Sequence, residues 1–394
     1  MSLIQEKVAQ AAALLRELDL PCWLTFVRET GILPDPVMPF LAPGHVTWHS
    51  AFLVPATGRA VAIVGQYDRK AIEETGAYER VEGYVQGYKP ALLAALRGLD
   101  PNAIAVNYSE DSEVCDGLTH GMFLTLRRVL AEIGYADRLV SAERLVAALR
   151  ARKTPQELAR IRAAVLETER IFDEVGRFLA PGRTERDVAD LVARLRAERG
   201  LETAWEAATC PAVFTGPDTA GAHYGPTSRA IARGHIVNMD FGVKSEDYCA
   251  DLQRTFYVRR EGETSVPEPV ARGFSTIAQA IESARRALRP GVAGRDVDRV
   301  AREVVTSAGY EEFPHALGHQ VGRFAHDGAA LLGPTWEKYG GRPLVPVEEG
   351  MVFTLEPRLT VQGYGVATVE EMVVVTRDGA EFLSDPQTTL RVVG

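Results

Sequence analysis

The sequence predicts two domains of different class: an α/β domain over residues 1–150, then an α+β domain over residues 151–394 whose two halves repeat each other. Three observations predict this. Short apolar runs alternate with amphipathic ones through the first 150 residues, as expected when strands and helices share one sheet. A helix start stands at "ARKTPQELARIRAA", where Thr154 and Glu157 form a capping box and Pro155 takes the first helical position. Beyond that point, matched stretches recur in the same order.

The first element is "MSLIQEKVAQAAALLRELDL", which places Leu3 or Ile4, Val8, Ala11, Leu15 and Leu18 on one helical face. Glu6, Lys7, Arg16 and Glu17 interrupt any signal-peptide core, and no apolar run approaches the roughly 20 residues of a membrane span. "CWLTFV", "AFLVP", "AVAIVG" and "AIAVNY" read as strands, and residues near 3–18, 89–98, 118–133 and 141–150 as helices. This domain has no Gly-rich phosphate loop and no catalytic cluster, so its expected role is structural or partly substrate-enclosing.

In the second domain "FLAPGRTERDV" matches "ALRPGVAGRDV": Pro181-Gly182 aligns with Pro290-Gly291, and Arg186-Asp187 with Arg295-Asp296. At the same offset Gly200 meets Gly309, each at a helix end. Further on, "GHIVNMD" leads from Gly234 to Asp240 as "GMVFTLE" leads from Gly350 to Glu356. Each acid has a successor on a following apolar strand, Asp251 in the first copy and Glu370 of "TVEEMVVVT" in the second. Duplication explains four matched features in one order.

An unpaired carboxylate in an apolar strand costs several kcal/mol, so it is protonated, paired or metal-bound. Two copies related by a pseudo-twofold would bring four such acids toward one centre, where bound cations would relieve their repulsion. "EEFPHALGHQVGRFAHDG" adds His315, His319 and His326, three of the chain's eight histidines. One histidine with Asp240, Asp251, Glu356 and Glu370 makes an oxygen-rich set suited to Mn²⁺, Co²⁺ or Fe²⁺, with Zn²⁺ also able to bind. Asp240-Phe241-Gly242 also spells the kinase DFG signature, but neither a His-Arg-Asp loop nor a glycine-rich phosphate cover accompanies it.

The bulk numbers limit the partners. With 394 residues, 46% hydrophobic and 25% charged, the chain is of ordinary globular composition. A net charge of −9 and a pI near 5.5 argue against general affinity for nucleic acid or anionic membranes. Cys22, Cys115, Cys210 and Cys249 lie far apart without a CxxC, as expected of reduced thiols in a cytoplasmic protein.

Residues 155–394 resemble the metallopeptidase family of methionine aminopeptidase, aminopeptidase P and prolidase, whose catalytic domain is called the pita-bread fold. The matching motifs are "MDFGVKSEDYCADLQRTF", "HALGHQVGRFAHDG", "GMVFTLEP" and "VEEMVVVT". The N-terminal domain is similar to that of prolidase, aminopeptidase P and creatinase, which points to the Xaa-Pro branch.

The resemblance implies two divalent metal ions on Asp240, Asp251, His319, Glu356 and Glu370, with Asp251 and Glu370 bridging. It further implies that a metal-bridging hydroxide attacks the carbonyl before proline while Glu356 shuttles the proton. His326 falls on the position that stabilises the oxyanion, His223 on one that contacts substrate, and His315 on a supporting one. The implied activity is hydrolysis of Xaa-Pro dipeptides with Mn²⁺ as the foremost metal, in a cytoplasmic homodimer whose partners are small peptides with proline second. Aminopeptidase P activity on longer peptides is the alternative; from another class, a non-catalytic pita-bread binding protein is a further one. Metal-free creatinase chemistry does not suit an intact five-ligand set.

Three positions depart from the family pattern: Thr368 stands where Arg is usual, Glu371 where Asp is commoner, and Arg358 where Gly usually follows Glu-Pro. Thr368 removes a cation able to orient the carboxylates. Arg358, or Arg323, is a candidate for binding the free carboxylate of a dipeptide.

Overall fold

Ser2 opens the first helix by a reciprocal cap: its hydroxyl accepts the Gln5 N–H, and the Gln5 side chain accepts the Ser2 N–H at 2.7 Å. The helix, α1 (Leu3–Glu17), buries Leu3, Val8, Ala11 and Leu15. In this computed structural model, residues 1–110, 112–219 and 224–394 are described, and the chain divides into two units, Met1–Arg150 and Ala151–Gly394.

The first unit continues through β1 (Cys22–Val27), β2 (Ser50–Pro55), β3 (Val61–Gly65), α2 (Arg69–Glu73), β4 (Arg80–Tyr84), α3 (Lys89–Leu99), β5 (Ile104–Val106), α4 (His120–Ala131), β6 (Leu139–Ser141) and α5 (Glu143–Ala151). The sheet order is β4-β3-β2-β1-β5-β6, with β1 antiparallel to β2 and parallel to β5. Strand alternation explains its two coats. Trp23, Phe52 and Val54 pack with Leu15 and Leu149, while Leu24, Phe26 and Leu53 pack with Leu92, Leu96, Leu126 and Leu130. β4, β6 and α2 were not expected from the sequence. "RVEGY" and "LVS" remain partly exposed in the structure, so neither carries the unbroken apolar run that marks β1 and β2.

Under this sheet lies a buried carboxylate. Asp35 accepts from Asn107 Nδ2 at 2.9 Å and from the Val37 N–H at 3.0 Å, and Trp23 Nε1 donates to Asn107 Oδ1 at 2.6 Å. Burial raises the Asp35 pKa to about 6, against the opposing pull of Asn107, Val37 and Arg150. A carboxyl with a raised folded-state pKa stabilises the fold when protonated, and that contribution is lost as pH rises from the unfolded pKa through about 6. Relative to Asp35→Asn, the wild-type chain is therefore expected to lose about 2 kcal/mol of stability between pH 4 and pH 7. Urea titrations of both proteins across that range check it; parallel profiles would contradict it.

The second unit starts with α6 (Pro155–Phe178), capped by Thr154 and Glu157 through both halves of the capping box. It runs on through α7 (Glu185–Glu198), β7 (Glu202–Thr203), β8 (Ala212–Thr215), β9 (Ile236–Phe241), β10 (Val243–Ser245), β11 (Tyr248–Cys249), β12 (Leu252–Val258), α8 (Glu268–Ala287) and α9 (Gly294–Ser307). There follow β13 (Gly318–His319), β14 (Leu331–Leu332), β15 (Val352–Leu355), β16 (Arg358–Val361), β17 (Gly365–Thr368), β18 (Glu371–Thr376), β19 (Gly379–Phe382) and β20 (Arg391–Val393). One sheet is ordered β20-β12-β9-β8, another β15-β18-β19, and β16 with β17 forms a hairpin. Phe274, Ile277, Ile281, Val297 and Val305 of α8 and α9 pack on Phe353, Leu355, Val373 and Val375.

The two halves of this unit repeat in structure. Gly182 N–H donates to Ile231 O and Gly291 N–H to Val347 O, both at 2.8 Å, and the bridge Thr184–Ala230 has its counterpart in Ala293–Pro346. Helices α7 and α9 end alike. Leu201 and Tyr310 reach back to Arg196 O and Val305 O, a turn that needs the left-handed backbone of Gly200 (φ 64°) and Gly309 (φ 87°). No described helix is long and apolar enough to cross a membrane.

Candidate metal centre

Four acids are carried on strands or directly beside them. Asp240 lies in β9, opposite Gln253 of β12; Asp251 immediately precedes β12. Glu356 follows β15, its N–H bonded to Leu317 O at 2.8 Å, and Glu370 precedes β18. Gln253 and Glu370 are bridged by two backbone hydrogen bonds, 3.3 and 3.1 Å, which tie the first half to the second. Antiparallel register thus points acids from both halves into one space.

His319 enters from β13, whose N–H donates to Thr354 Oγ1 at 3.1 Å. Gly318 makes this approach feasible: a Cβ there would fall 1.9 Å from Thr354 O. Asp251, His319 and Glu370 offer donor atoms within 4.8 Å of one another. His319 Nε2 is 3.7 Å from Asp251 Oδ2 and 3.4 Å from Glu356 Oε1. Asp240 is outside the tight trio, but its charge is felt by Asp251, Glu356 and Glu370.

The electrostatics are those of carboxyl groups crowded into one buried space. Burial, followed by mutual repulsion with their acidic neighbours, raises Asp251, Glu356 and Glu370 well above the carboxylate range. Asp240 rises to about 7 through burial, and its Oδ1 is buried without a hydrogen-bond partner. Among the described residues no Lys or Arg pairs with these four carboxylates. Burial pushes His319 down to about 3, so its ring is neutral. Nδ1 is turned to Gln320 O at 3.4 Å; with the proton on Nδ1, Nε2 presents its lone pair to the acids. Five donors of this kind, one with an orphaned oxygen, fit divalent cations.

The other sequence candidates spread around this core. The His326 ring stands edge-on to His319, centroids 4.1 Å apart. His315 is held by Ala316 O at 2.8 Å, lies tilted against the Phe313 ring with centroids 5.3 Å apart, and is lowered to about 4 by burial, with Arg358 adding to the effect. Arg358 is half-buried on β16 opposite Thr368 of β17, and among the described residues no carboxylate pairs with it. Arg323 is engaged elsewhere, 3.1 Å from Asp247 and over the Tyr248 ring. His223 lies outside the described residues.

Sequence reasoning missed Gln253, Arg254 and Thr354. Gln253 is two residues beyond Asp251, which leads into β12, so period-two alternation would have placed both on one face. Arg254 donates to Glu370 O and pairs with Glu371 at 3.1 Å, so a buried guanidinium does stand behind the acids although Thr368 occupies the usual arginine position.

Residues 159–377 match metallopeptidase family M24. The chain is 32% identical over 354 residues to the probable dipeptidase PepE of Mycobacterium tuberculosis (strain ATCC 25618 / H37Rv), covering 87% of this chain and 85% of that protein. It is 29% identical over 249 residues to the Xaa-Pro dipeptidase of Lactobacillus helveticus, 62% of this chain and 63% of that one. The crystal structure of X-Pro aminopeptidase from Thermotoga maritima MSB8 superposes with a TM-score of 0.72 at 26% identity, over 96% of this chain and 99% of that chain. With its buried acids and single neutral imidazole gathered between two repeated halves of a pita-bread fold, the chain belongs to metallopeptidase family M24.

Proposed function

We propose that the chain is an Xaa-Pro dipeptidase that works with two divalent metal ions, Mn²⁺ foremost. The convergence of Asp251, His319 and Glu370 with Glu356 and Asp240 carries this reading, and the dipeptidase relatives support it. Asp240, Asp251, His319, Glu356 and Glu370 would hold the ions. Two such ions, when bound, acidify a shared water and polarise the scissile carbonyl.

The chain's own residues do the rest. Glu356, steadied by Thr354 Oγ1 at 3.5 Å and Gln253 Nε2 at 3.4 Å, takes a proton on its carboxylate and returns it to the proline nitrogen. His326, beside His319, donates to the oxyanion; His315 supports the rim, and His223 contacts substrate. Proline's nitrogen has no N–H, so the site must read the peptide by its ends.

Arg358 is the candidate for the carboxylate end, favoured over Arg323 because Arg323 is already paired with Asp247. Arg358→Ala is expected to raise KM for Ala-Pro about 10- to 100-fold, the worth of a charged hydrogen bond, while leaving Ala-Pro-Ala unaffected. An equal effect on both peptides would reject this role.

Four free, buried thiols suit a reducing cytoplasm, and a homodimer is proposed on family resemblance alone. The test of function is proline release from Ala-Pro and Leu-Pro against cleavage of Ala-Pro-Ala, with and without Mn²⁺. Metal-dependent release from the dipeptides is expected. Preference for the tripeptide would favour aminopeptidase action, the reading to which the Thermotoga maritima X-Pro aminopeptidase lends support. Inactivity on all three, with no metal taken up, would leave a binding protein.

A further inference from the structure

Gln253 is the residue that touches most of the acids without being one. It lies opposite Asp240 in the β9–β12 ladder, two residues beyond Asp251, which leads into that strand. Its backbone is bridged both ways to Glu370. Its side chain is 5% exposed; Nε2 donates to Glu356 Oε2 at 3.4 Å, and Oε1 accepts from Thr368 Oγ1 at 3.2 Å.

The orientation of this amide is fixed by its neighbours. Turned over, it would set Oε1 against the Glu356 carboxylate, acceptor against acceptor. In the observed orientation Thr368 completes the pairing by donating its hydroxyl to Oε1. Thr368 is itself immobile: it is 3% exposed, and its carbonyl accepts from Asn238 Nδ2 and Thr255 Oγ1, both at 2.6 Å.

We infer that Gln253 is the positioning residue of the metal centre, with Thr368 setting its amide so that Nε2 holds Glu356, while its backbone is tied to Glu370, in the arrangement that receives cations. This deepens the proposed function and rests on its metal centre. The pair orients the acids by neutral donors from inside the cluster. Arg254 acts behind it, on the backbone of Glu370 rather than on its carboxylate. Outer hydrogen bonds to ligating carboxylates typically change metal affinity about 10- to 100-fold.

The test is calorimetric titration of metal-free full-length protein with Mn²⁺, alongside far-UV circular dichroism and thermal melting. Gln253→Leu, close in size but without donors, is expected to weaken Mn²⁺ binding about 10- to 100-fold. Thr368→Val, which leaves Gln253 in place, is expected to weaken it less, and Thr368→Ser to restore wild-type affinity. The double variant Gln253→Leu/Thr368→Val should bind no more weakly than Gln253→Leu alone, because Thr368 acts through Gln253. A merely structural role would lower the melting temperature of metal-free protein and add in the double variant. Wild-type affinity in both single variants, or additive losses, would overturn the inference. Should Gln253→Leu fail to fold, the comparison of Thr368→Val with Thr368→Ser still decides it: equal affinities overturn the relay. Wild-type protein that takes up no Mn²⁺ would instead remove the metal centre itself.

Discussion

Glu356→Gln is expected to cut kcat on Ala-Pro by about 10²- to 10⁴-fold at saturating Mn²⁺, the range lost with a general acid–base group, and to make the metal-free protein more stable. Both effects come from one carboxylate. Glu356 is 3.4 Å from His319 on one oxygen and 3.4 Å from Gln253 on the other. Burial and the nearby Asp240 hold its pKa far above the usual range. Glutamine relieves the cost of burying and protonating that group in the metal-free protein, so the melting temperature should rise by roughly 2–4 °C per kcal/mol recovered. Activity and stability move in opposite directions, as expected where an active site stores unfavourable charge. A stopped assay of proline release together with calorimetric melting checks both. A variant keeping a tenth of wild-type kcat would end the acid–base role of Glu356.

Arg254→Met should be the most damaging single change to the stability of the second unit. Arg254 and Glu371 are each 1% exposed and pair at 3.1 Å. The guanidinium also donates to Gln253 O and Glu370 O at 3.0 Å and to Asp385 O at 3.1 Å. Glu371 in turn accepts from Ser384 Oγ and from the Gln387 N–H at 2.8 Å. Removing the cation leaves Glu371 buried and uncompensated, at a cost of about 3–5 kcal/mol, or roughly 6–20 °C in melting temperature for a unit of this size. The double change Arg254→Met/Glu371→Leu should recover most of the loss, since it removes the stranded charge as well. A single variant that melts within 2 °C of wild type would contradict the account.

The acids were legible in the sequence because charge is conspicuous in an apolar strand. Asp240 interrupts Ile236–Phe241 and Glu370 stands just ahead of Glu371–Thr376, and neither place suits an unpaired carboxylate. The capping box at Thr154 and Glu157 was legible for a similar reason, since its chemistry is local to four residues. What escaped was neutral or distant. Gln253 carries no charge to betray it, and its role comes from partners at 356, 368 and 370 that only the folded chain brings near. The Arg254–Glu371 pair joins residues 117 apart in sequence, so no local pattern signals it. Likewise β4 and β6 are partly exposed strands whose sequences resemble loops, and tertiary pairing rather than propensity decides them.

The repeated halves contribute two acids each, yet the described imidazoles beside them, His319 and His326, both come from the second half. The near-symmetry of the scaffold therefore ends at the chemistry. One seat would offer nitrogen as well as oxygen, the other oxygen alone, and late first-row ions favour the former. In the proposed metal centre the two halves would therefore contribute unequally, carboxylate oxygen from one and both oxygen and nitrogen from the other.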